Sequence, residues 1–389
     1  MHTTVATFAL LWTACSGVDE QTLTEDTSAG RDDLEAPWSS PDAMGPLQVG
    51  TLTMEWEDHR GKDMMAEVWY PARPKPDEEL ATYPPIAIGG VSTRWADADT
   101  RFGPRPLVAF SHGYGGVRFQ SLYLTEYLAS HGFVVVSPRH QYNTFLDLND
   151  DHLLDITVQR PGDVIEAVDE VLRRSRTPDE HLEGLIDGED YAVLGHSFGA
   201  LTSMMVGGGV IDLDGLRARC ATHGGRLCGS LDGLTAELLS SHRMTDPRAV
   251  VTVPMAPGMW YAFGPDGLSA PGLEQVRHPL ILSGAADPVL RYADEALPTY
   301  QNMATPKTLV NFQEAGHYAF SNMCDFVPYF TTECEGLEGG WADINRVQTL
   351  SRTVALAHIR VAMLGDERDL PYLAEEWLVN EADVTVQTD

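Results

Sequence analysis

The serine in the motif GHSFG, at residues 195–199, is the strongest candidate for chemistry in this sequence. The motif follows the pattern G-x-S-x-G and stands between an apolar run, YAVL, and a helix-forming segment that begins at Ala200. Strand, tight turn and helix are the context in which this pattern places a serine hydroxyl at the top of a sheet. Ser197 is therefore the candidate nucleophile, and the alternative is a chance match in a chain with 35 glycines.

A carboxylate and a histidine follow Ser197 along the chain. Asp287 comes shortly after the apolar run LILSG, and His317 comes shortly after the run TLVNF. A serine hydroxyl needs an imidazole to take its proton, and the imidazole needs a carboxylate that fixes its tautomer. The order Ser197, Asp287, His317, with each residue just beyond a strand, predicts such a triad.

Two other acids remain open as the orienting carboxylate. Asp266 could fill the place after the preceding strand, and Glu314 lies close to His317 in the sequence. Asp287 is the favoured residue because it directly follows a strand and precedes the strand that leads to the histidine.

A glycine-rich segment, SHGYGG at residues 111–116, follows the apolar run PLVAF. A loop of this kind, directly after a strand, can aim backbone N–H groups into a pocket. We expect an oxyanion hole formed by the backbone N–H groups of Tyr114 and of Phe198, the residue after the nucleophile. The alternative is a turn that serves only to reverse the chain.

Bulky side chains follow the apolar run AVVTV, at the strand end where ligands bind in open α/β sheets. Met259 and Trp260 are the candidates for a substrate-binding wall, and Tyr318, next to the candidate base, is a third. Packing in the core is the alternative for these side chains.

Composition excludes several classes of function. The net charge of −31 repels phosphate backbones, so nucleic acid is not an expected partner. The chain has no P-loop or dinucleotide-binding glycine pattern, and no cofactor is expected. The acidic loop at residues 147–155 could hold calcium, but a solvated loop is the favoured interpretation, and no metal site is predicted.

Strand-like and helix-like segments alternate through the chain. This alternation predicts an α/β fold with a mostly parallel sheet and helices on both faces. An antiparallel pair of strands precedes the alternation, and residues 71–105 have the composition of a surface excursion. The expected segments are strands at 47–56, 64–70 and 133–137, helices at 118–130, 157–174 and 344–363, and an insertion after the nucleophile helix at 207–245.

The N-terminus has the features of an export signal. An apolar stretch ends in LWTAC, which resembles the lipobox of bacterial lipoproteins, and Cys15 would then be the lipidated residue that attaches the protein to a membrane. A plainly cleaved signal and a cytosolic start are the alternatives. We expect a signal at 1–15, a flexible acidic tether at 16–45 and one domain at 46–389, in a protein that is secreted, periplasmic or lipid-anchored.

The other four cysteines form two local pairs, Cys220 with Cys228 and Cys324 with Cys334. Pairs at this spacing are typical of disulfides in an oxidising compartment. Four unrelated thiols are the alternative. Neither pair has the C-x-x-C spacing of a zinc site.

An ordered set of segments, including FSHGYGG, GHSFGA, SGAADPV and EAGHYAF, resembles the esterases related to dienelactone hydrolase in the α/β-hydrolase superfamily. That group includes enzymes similar to platelet-activating-factor acetylhydrolase and bacterial cutinases or polyester hydrolases. The resemblance implies an α/β-hydrolase fold, with Ser197, Asp287 and His317 as the triad and with Tyr114 and Phe198 at the oxyanion hole.

The expected function is that of a serine carboxylester hydrolase that forms an acyl-enzyme. Its substrates would be short to medium acyl esters, present as small molecules, lipids or polymers. An acyltransferase of the same fold and a non-catalytic surface binding protein are the alternatives.

Overall fold

One mixed sheet of 12 strands runs through the computed structural model, which describes residues 38–389 except 74–78, 84–87, 187, 224–225, 265–268 and 382. The strands are β1 (Gln48–Glu57), β2 (Asp63–Arg73), β3 (Leu80–Tyr83), β4 (Ile88–Arg94), β5 (Asp97–Ala98), β6 (Leu107–Ser111), β7 (Gly115–Gly116), β8 (Val134–Pro138), β9 (Tyr191–His196), β10 (Ala249–Met255), β11 (Leu280–Gly284), β12 (Thr308–Phe312) and β13 (Val384–Thr388). Their order is β13-β12-β11-β10-β9-β6-β8-β2-β1-β4-β3, with β5 paired to β2 and β7 outside the sheet.

Helices connect most of the parallel strands. The α-helices are α1 (Leu122–Ser130), α2 (Leu153–Arg176), α3 (Phe198–Val206), α4 (Leu213–His223), α5 (Ala236–Ser240), α6 (Ala296–Asn302), α7 (Met323–Phe326), α8 (Ile344–Leu364) and α9 (Glu375–Glu381). Short 3-10 helices lie at Asp150–His152, Arg226–Gly233, Trp260–Phe263, Pro271–Gln275, His317–Phe320, Thr332–Gly339 and Glu367–Leu373.

The centre of the sheet is parallel. Strands β8, β6, β9, β10, β11 and β12 run in one direction, while β2 and β13 pair antiparallel at either side of them. Every residue of β6, β8 and β9 is buried, because helices cover both faces of the sheet. The predicted fold class is confirmed.

Alternate residues of β6 show how the two faces are filled. Val108 and Phe110 pack with side chains of α1 and α8, whereas Leu107 and Ala109 pack with the apolar stripe of α2. Side chains alternate between the faces of a strand, so a continuous apolar run serves both cores. The apolar stripe of α2, which includes Val164, Ile165 and Val168, is buried on this second face.

The carboxyl ends of the parallel strands meet at one edge of the sheet. Strand β9 leads into Ser197, β11 leads through a short loop to Asp287, and β12 leads to His317. Strand β6 ends at the glycine-rich loop, residues 112–116. The loops that follow β6, β9, β11 and β12 therefore lie together at this edge of the sheet.

The described residues of the stretch 71–105 are more ordered than their composition predicts. They contain β3 and β4, and β4 pairs parallel to β1 while β3 pairs antiparallel to β4. Pairing with β1, far earlier in the chain, stabilises β4, and β3 pairs in turn with β4. The Pro- and Gly-rich sequence of this region has no local pattern that predicts these pairings.

The predicted tether extends too far toward the domain. Within the stretch 38–45, the indole Nε1 of Trp38 donates to Asp369 Oδ1 at 3.1 Å, and the backbone N–H of Gly45 donates to Ser130 Oγ at 2.9 Å. The carbonyl of Pro41 accepts a bond from Thr353 Oγ1 at 2.8 Å. Residues 38–45 therefore belong to the fold, while the predicted signal with Cys15 and the rest of the tether lie outside the described residues.

The insertion at 207–245 folds as α4, a 3-10 helix and α5. Leu216 and Leu234 are buried from this segment, and both belong to the apolar cluster that contains Met205 and Phe263. The insertion thus packs on α3 and on the 3-10 helix after β10. In the described part of the chain, no helix is long and apolar enough to cross a membrane.

Candidate active site

Ser197 sits in a strained turn between β9 and α3. Its backbone has φ 59° and ψ −119°, a conformation that non-glycine residues rarely adopt. A Cβ added at Gly195 would lie 2.1 Å from the carbonyl oxygen of Gly199, and one added at Gly199 would lie 1.9 Å from that of Ser111. Both flanking glycines are therefore required by close packing of the backbone around the serine.

The structure brings Ser197, His317 and Asp287 into one hydrogen-bonded chain. Ser197 Oγ lies 2.9 Å from His317 Nε2, and His317 Nδ1 lies 2.7 Å from Asp287 Oδ2. The histidine and aspartate side chains are only 3% and 1% exposed, so little water competes for these bonds. The geometry allows the imidazole to take the serine proton while the carboxylate holds its tautomer.

The second oxygen of Asp287 is bonded to its own loop. Oδ1 accepts the backbone N–H groups of Val289 at 2.7 Å and Leu290 at 2.8 Å. The loop backbone therefore holds one carboxylate oxygen in place, and the other oxygen bonds the imidazole of His317. Glu314 is exposed, and Asp266 lies outside the described residues.

The two predicted oxyanion residues flank the serine. Phe198 begins α3, and the first N–H groups of a helix have no partner within it. Tyr114 lies in the loop after β6, and its ring meets the ring of Phe198 edge-on at a centroid distance of 5.8 Å. Both residues line the cavity that contains Ser197.

A buried chain of hydrogen bonds joins the loop after β6 to the loop that carries His317. The sequence analysis did not predict it. Gln120 Oε1 accepts the backbone N–H of Gly113 at 2.9 Å, so its amide Nε2 donates to His196 Nδ1 at 2.9 Å. His196 Nε2 then donates to the carbonyl of His317 at 2.8 Å. Burial, with the nearby His317, lowers the pKa of His196 to about 3, so the ring stays neutral and can accept and donate at once. The sequence signal for His196 was its place between Gly195 and Ser197 in the motif G-x-S-x-G.

Arg160 forms a second buried support that the sequence did not reveal. From α2 its guanidinium donates to Thr202 Oγ1 and Ser111 Oγ, both at 3.0 Å, and to Asn143 Oδ1 and the carbonyl of His112. Burial lowers the pKa of Arg160 to about 9. The signal for it was a charged residue on the apolar stripe of the predicted helix.

Replacing Arg160 with methionine is expected to lower the free energy of unfolding by about 3 kcal/mol, because buried acceptors lose their charged donor. Urea unfolding measures the change. Arg173→Met on the same helix is the matched control, since Arg173 pairs with Glu170 at a side-chain exposure of 52%. That exposed pair should contribute less than about 1 kcal/mol. Equal losses in the two variants would contradict the assigned role of Arg160.

A cavity of about 390 Å³ opens at Ser197. Predicted substrate residues Met259 and Tyr318 line it, and apolar side chains form most of the remaining wall. Trp260 does not line it, which corrects the prediction. Its indole Nε1 donates to the carbonyl of Asp294 at 2.8 Å, and Tyr261 lines the cavity instead.

Both predicted cysteine pairs are disulfides in the structure. Cys220 and Cys228 have Cα atoms 5.3 Å apart, and Cys324 and Cys334 have Cα atoms 5.2 Å apart. Among the described residues, no group of three or more His, Cys, Asp or Glu side chains could hold a metal ion.

The Cys324–Cys334 loop borders the site. Its Glu333 is 2% exposed, and Oε2 accepts the backbone N–H of Tyr318 at 2.7 Å. Phe330 meets the ring of Tyr318 edge-on at 5.0 Å. Burial raises the pKa of Glu333. The loop therefore helps to hold the backbone that carries the histidine.

Replacing Cys324 and Cys334 with serine is expected to lower the free energy of unfolding by about 2–3 kcal/mol, the loop-closure value for a short loop. It should also lower kcat severalfold, since Glu333 would hold the histidine loop less firmly. The matched double variant at Cys220 and Cys228 should lose similar stability and keep its kcat. Thermal unfolding and kcat for both variants measure this, and equal kcat values would show that the loop does not position the site.

Comparison with known proteins supports the fold. A family model described as "Platelet-activating factor acetylhydrolase, isoform II" matches residues 93–145, a segment that holds β6, the glycine-rich loop and α1. The solved structure of a ferulic acid esterase from Streptomyces cinnamoneus is similar, with a TM-score of 0.55 and 17% sequence identity, over 82% of this chain and 91% of that chain. No curated protein sequence matches. The chain has the α/β-hydrolase fold.

Proposed function

We propose that the protein is a serine carboxylester hydrolase that works through an acyl-enzyme. The observation that carries the proposal is the hydrogen-bonded chain Ser197–His317–Asp287 at the floor of an apolar cavity. The similarity to an acetylhydrolase family model and to a ferulic acid esterase supports ester hydrolysis as the reaction class.

In the proposed mechanism, Ser197 Oγ attacks the ester carbonyl carbon while His317 Nε2 accepts the hydroxyl proton. The N–H groups of Phe198 and Tyr114 bind the oxyanion that forms. His317 then gives its proton to the leaving alcohol, and an acyl group remains on Ser197. Water repeats these steps and releases the acid, with Asp287 stabilising the imidazolium each time.

The size and lining of the cavity support short to medium acyl esters as substrates. A volume of about 390 Å³ is at the small end of the range for ligand sites. Exposed apolar side chains border the cavity: Val289 is 53% exposed and lines it, and Phe330 is 49% exposed and packs on Tyr318. These exposed apolar side chains support lipid-like or polymeric esters as substrates in the same proposal.

The proposed location is outside the cytoplasm. Two disulfides between sequence-local cysteines support an oxidising compartment. Attachment to a membrane through a lipidated Cys15 is part of the same proposal, and mass spectrometry of the mature N-terminus in the native host would test it.

The proposed function is tested by hydrolysis of a soluble p-nitrophenyl ester, an acetylated phospholipid and a model polyester, with the Ser197→Ala variant as the blank. Hydrolysis of at least one ester by the wild type, and none by the variant, is the expected result. No hydrolysis of any ester, or equal rates for the two proteins, would contradict the proposal.

A further inference from the structure

The cavity contains a carboxyl group that the proposed mechanism does not use. Glu295, which precedes α6, lines the cavity and accepts the backbone N–H of Met259 through Oε2 at 2.7 Å. Its other oxygen, Oε1, makes no hydrogen bond with any described residue, and it is not fully enclosed by protein atoms. Glu295 therefore brings to the cavity wall a carboxyl group with one oxygen that no described residue bonds.

Most other polar side chains of the cavity wall are already engaged. Gln120 and His196 bond each other and the flanking loops, and His317 bonds Ser197 and Asp287. The same wall carries the apolar side chains of Met259, Val289 and Leu290 and the ring of Tyr261, over which the Arg219 guanidinium lies. Water can bond this acceptor in the free enzyme, so a ligand that displaces the water without supplying a donor leaves the acceptor unpaired.

The charges around Glu295 have opposing effects. Burial raises the pKa of its carboxyl to about 7, the Met259 N–H and Arg219 act to lower it, and Asp294 and Asp287 add to the increase. The carboxyl is therefore a carboxylate above about pH 7, and in that form Oε1 accepts hydrogen bonds; in the acid form, with Oε2 accepting the Met259 N–H, Oε1 carries the proton.

We propose that Glu295 makes the enzyme selective for esters that carry a hydrogen-bond donor, a hydroxyl or a primary ammonium group, on the part that lies against Met259 and Leu290. The inference rests on the proposed function, since it names the class of ester that this site prefers. A polar group built into a binding site discriminates strongly, because the analogue without the donor leaves a buried acceptor unpaired.

A purely structural role for Glu295 makes a different prediction. If the carboxyl only holds the Met259 backbone, its replacement would change the rates for all esters by the same factor. The ratio of kcat/KM between matched substrates separates the two roles, because common losses cancel in it.

The experiment uses p-nitrophenyl esters of straight-chain acids of matched length that end in a methyl, a hydroxyl or an ammonium group, and a second series with the same ends on the alcohol. Wild type, Glu295→Gln and Asp294→Asn are compared. Glutamine keeps an acceptor for Met259 and presents an amide donor to the cavity. Asp294→Asn removes the same charge from the neighbouring residue, whose side chain does not line the cavity.

Wild type is expected to prefer a donor-bearing ester over its methyl counterpart by at least about tenfold, the value of one hydrogen bond to a charged group. This preference should fall toward unity in Glu295→Gln and persist in Asp294→Asn. The hydroxyl and ammonium arms identify which donor is preferred, and the two series identify which half of the ester carries it.

Absence of a donor preference in the wild type would overturn the inference without recourse to any variant. An unchanged ratio in Glu295→Gln, or an equal fall in Asp294→Asn, would do the same. The proposed function is judged separately, from hydrolysis of the methyl-ended esters by wild type and its absence in Ser197→Ala.

Discussion

Replacing Ser197 with alanine is expected to lower kcat for ester hydrolysis by about 10⁶-fold, the loss seen when the nucleophile of a serine protease is removed. The expected loss is this large because Oγ is the atom that would form the acyl-enzyme, and no neighbouring hydroxyl occupies the strained turn. The measurement is kcat on the best ester found, with the purified variant checked for an unchanged circular dichroism spectrum.

Ser203→Ala is the matched control for that loss. Ser203 lies on α3, is buried, and donates to the carbonyl of Ala200 at 2.9 Å, away from the cavity wall. This variant should keep a kcat close to that of the wild type. If Ser197→Ala stays within about tenfold of the wild type, far less than removal of a nucleophile should cause, Ser197 is not the nucleophile.

Replacing Asp287 with asparagine is expected to lower kcat by about 10⁴-fold, since the amide favours the wrong tautomer of His317. The volume and the loop contacts change little, because Oδ1 can still accept the N–H groups of Val289 and Leu290. The effect should therefore fall on kcat and leave the free energy of unfolding nearly unchanged. Steady-state kinetics and urea unfolding of the same preparation measure both quantities.

The control for Asp287→Asn is Asp266→Asn, the alternative carboxylate in the sequence. That variant should keep nearly all of the wild-type activity, because the carboxylate at 2.7 Å from His317 Nδ1 is Asp287. Loss of activity in Asp266→Asn with near-normal activity in Asp287→Asn would assign the acid to the other position.

The positions of Ser197, Asp287 and His317 could be predicted because each follows an apolar run that reads as a strand. Parallel strands bring their carboxyl ends to one edge, so residues far apart in sequence meet there. The glycines at 195 and 199 also indicated a tight turn around Ser197, which has a φ of 59°.

The role of Tyr261 in place of Trp260 could not be predicted from residue types. Met259 adopts the left-handed conformation with φ 65° and starts a 3-10 helix, in which successive side chains turn by about a third of a circle. A backbone reversal of this kind has no sequence signature without a glycine or asparagine. Met259 and Tyr261 line the cavity and Trp260 between them does not, and this alternation follows from the turn at Met259.

Local sequence patterns also did not predict the buried hydrogen bonds of Gln120, His196 and Arg160 around the site. Each makes a hydrogen bond to a residue far away in the chain: Gln120 to His196, His196 to the carbonyl of His317, and Arg160 to the carbonyl of His112. Strand β4 and the packed stretch at 38–45 were missed for the same reason, since their partners are distant and their own composition is that of a loop, and β3 pairs only with β4.

The covalent intermediate is the most direct test of the proposed mechanism. The wild-type enzyme is mixed with a p-nitrophenyl ester, quenched in acid within one turnover, digested and analysed by mass spectrometry. The expected result is a burst of p-nitrophenol and an acyl group on the peptide that contains Ser197, both absent from Ser197→Ala. Turnover with no acylated peptide when deacylation is rate-limiting, or an acyl group on a different residue, would contradict the assignment of Ser197 as the nucleophile.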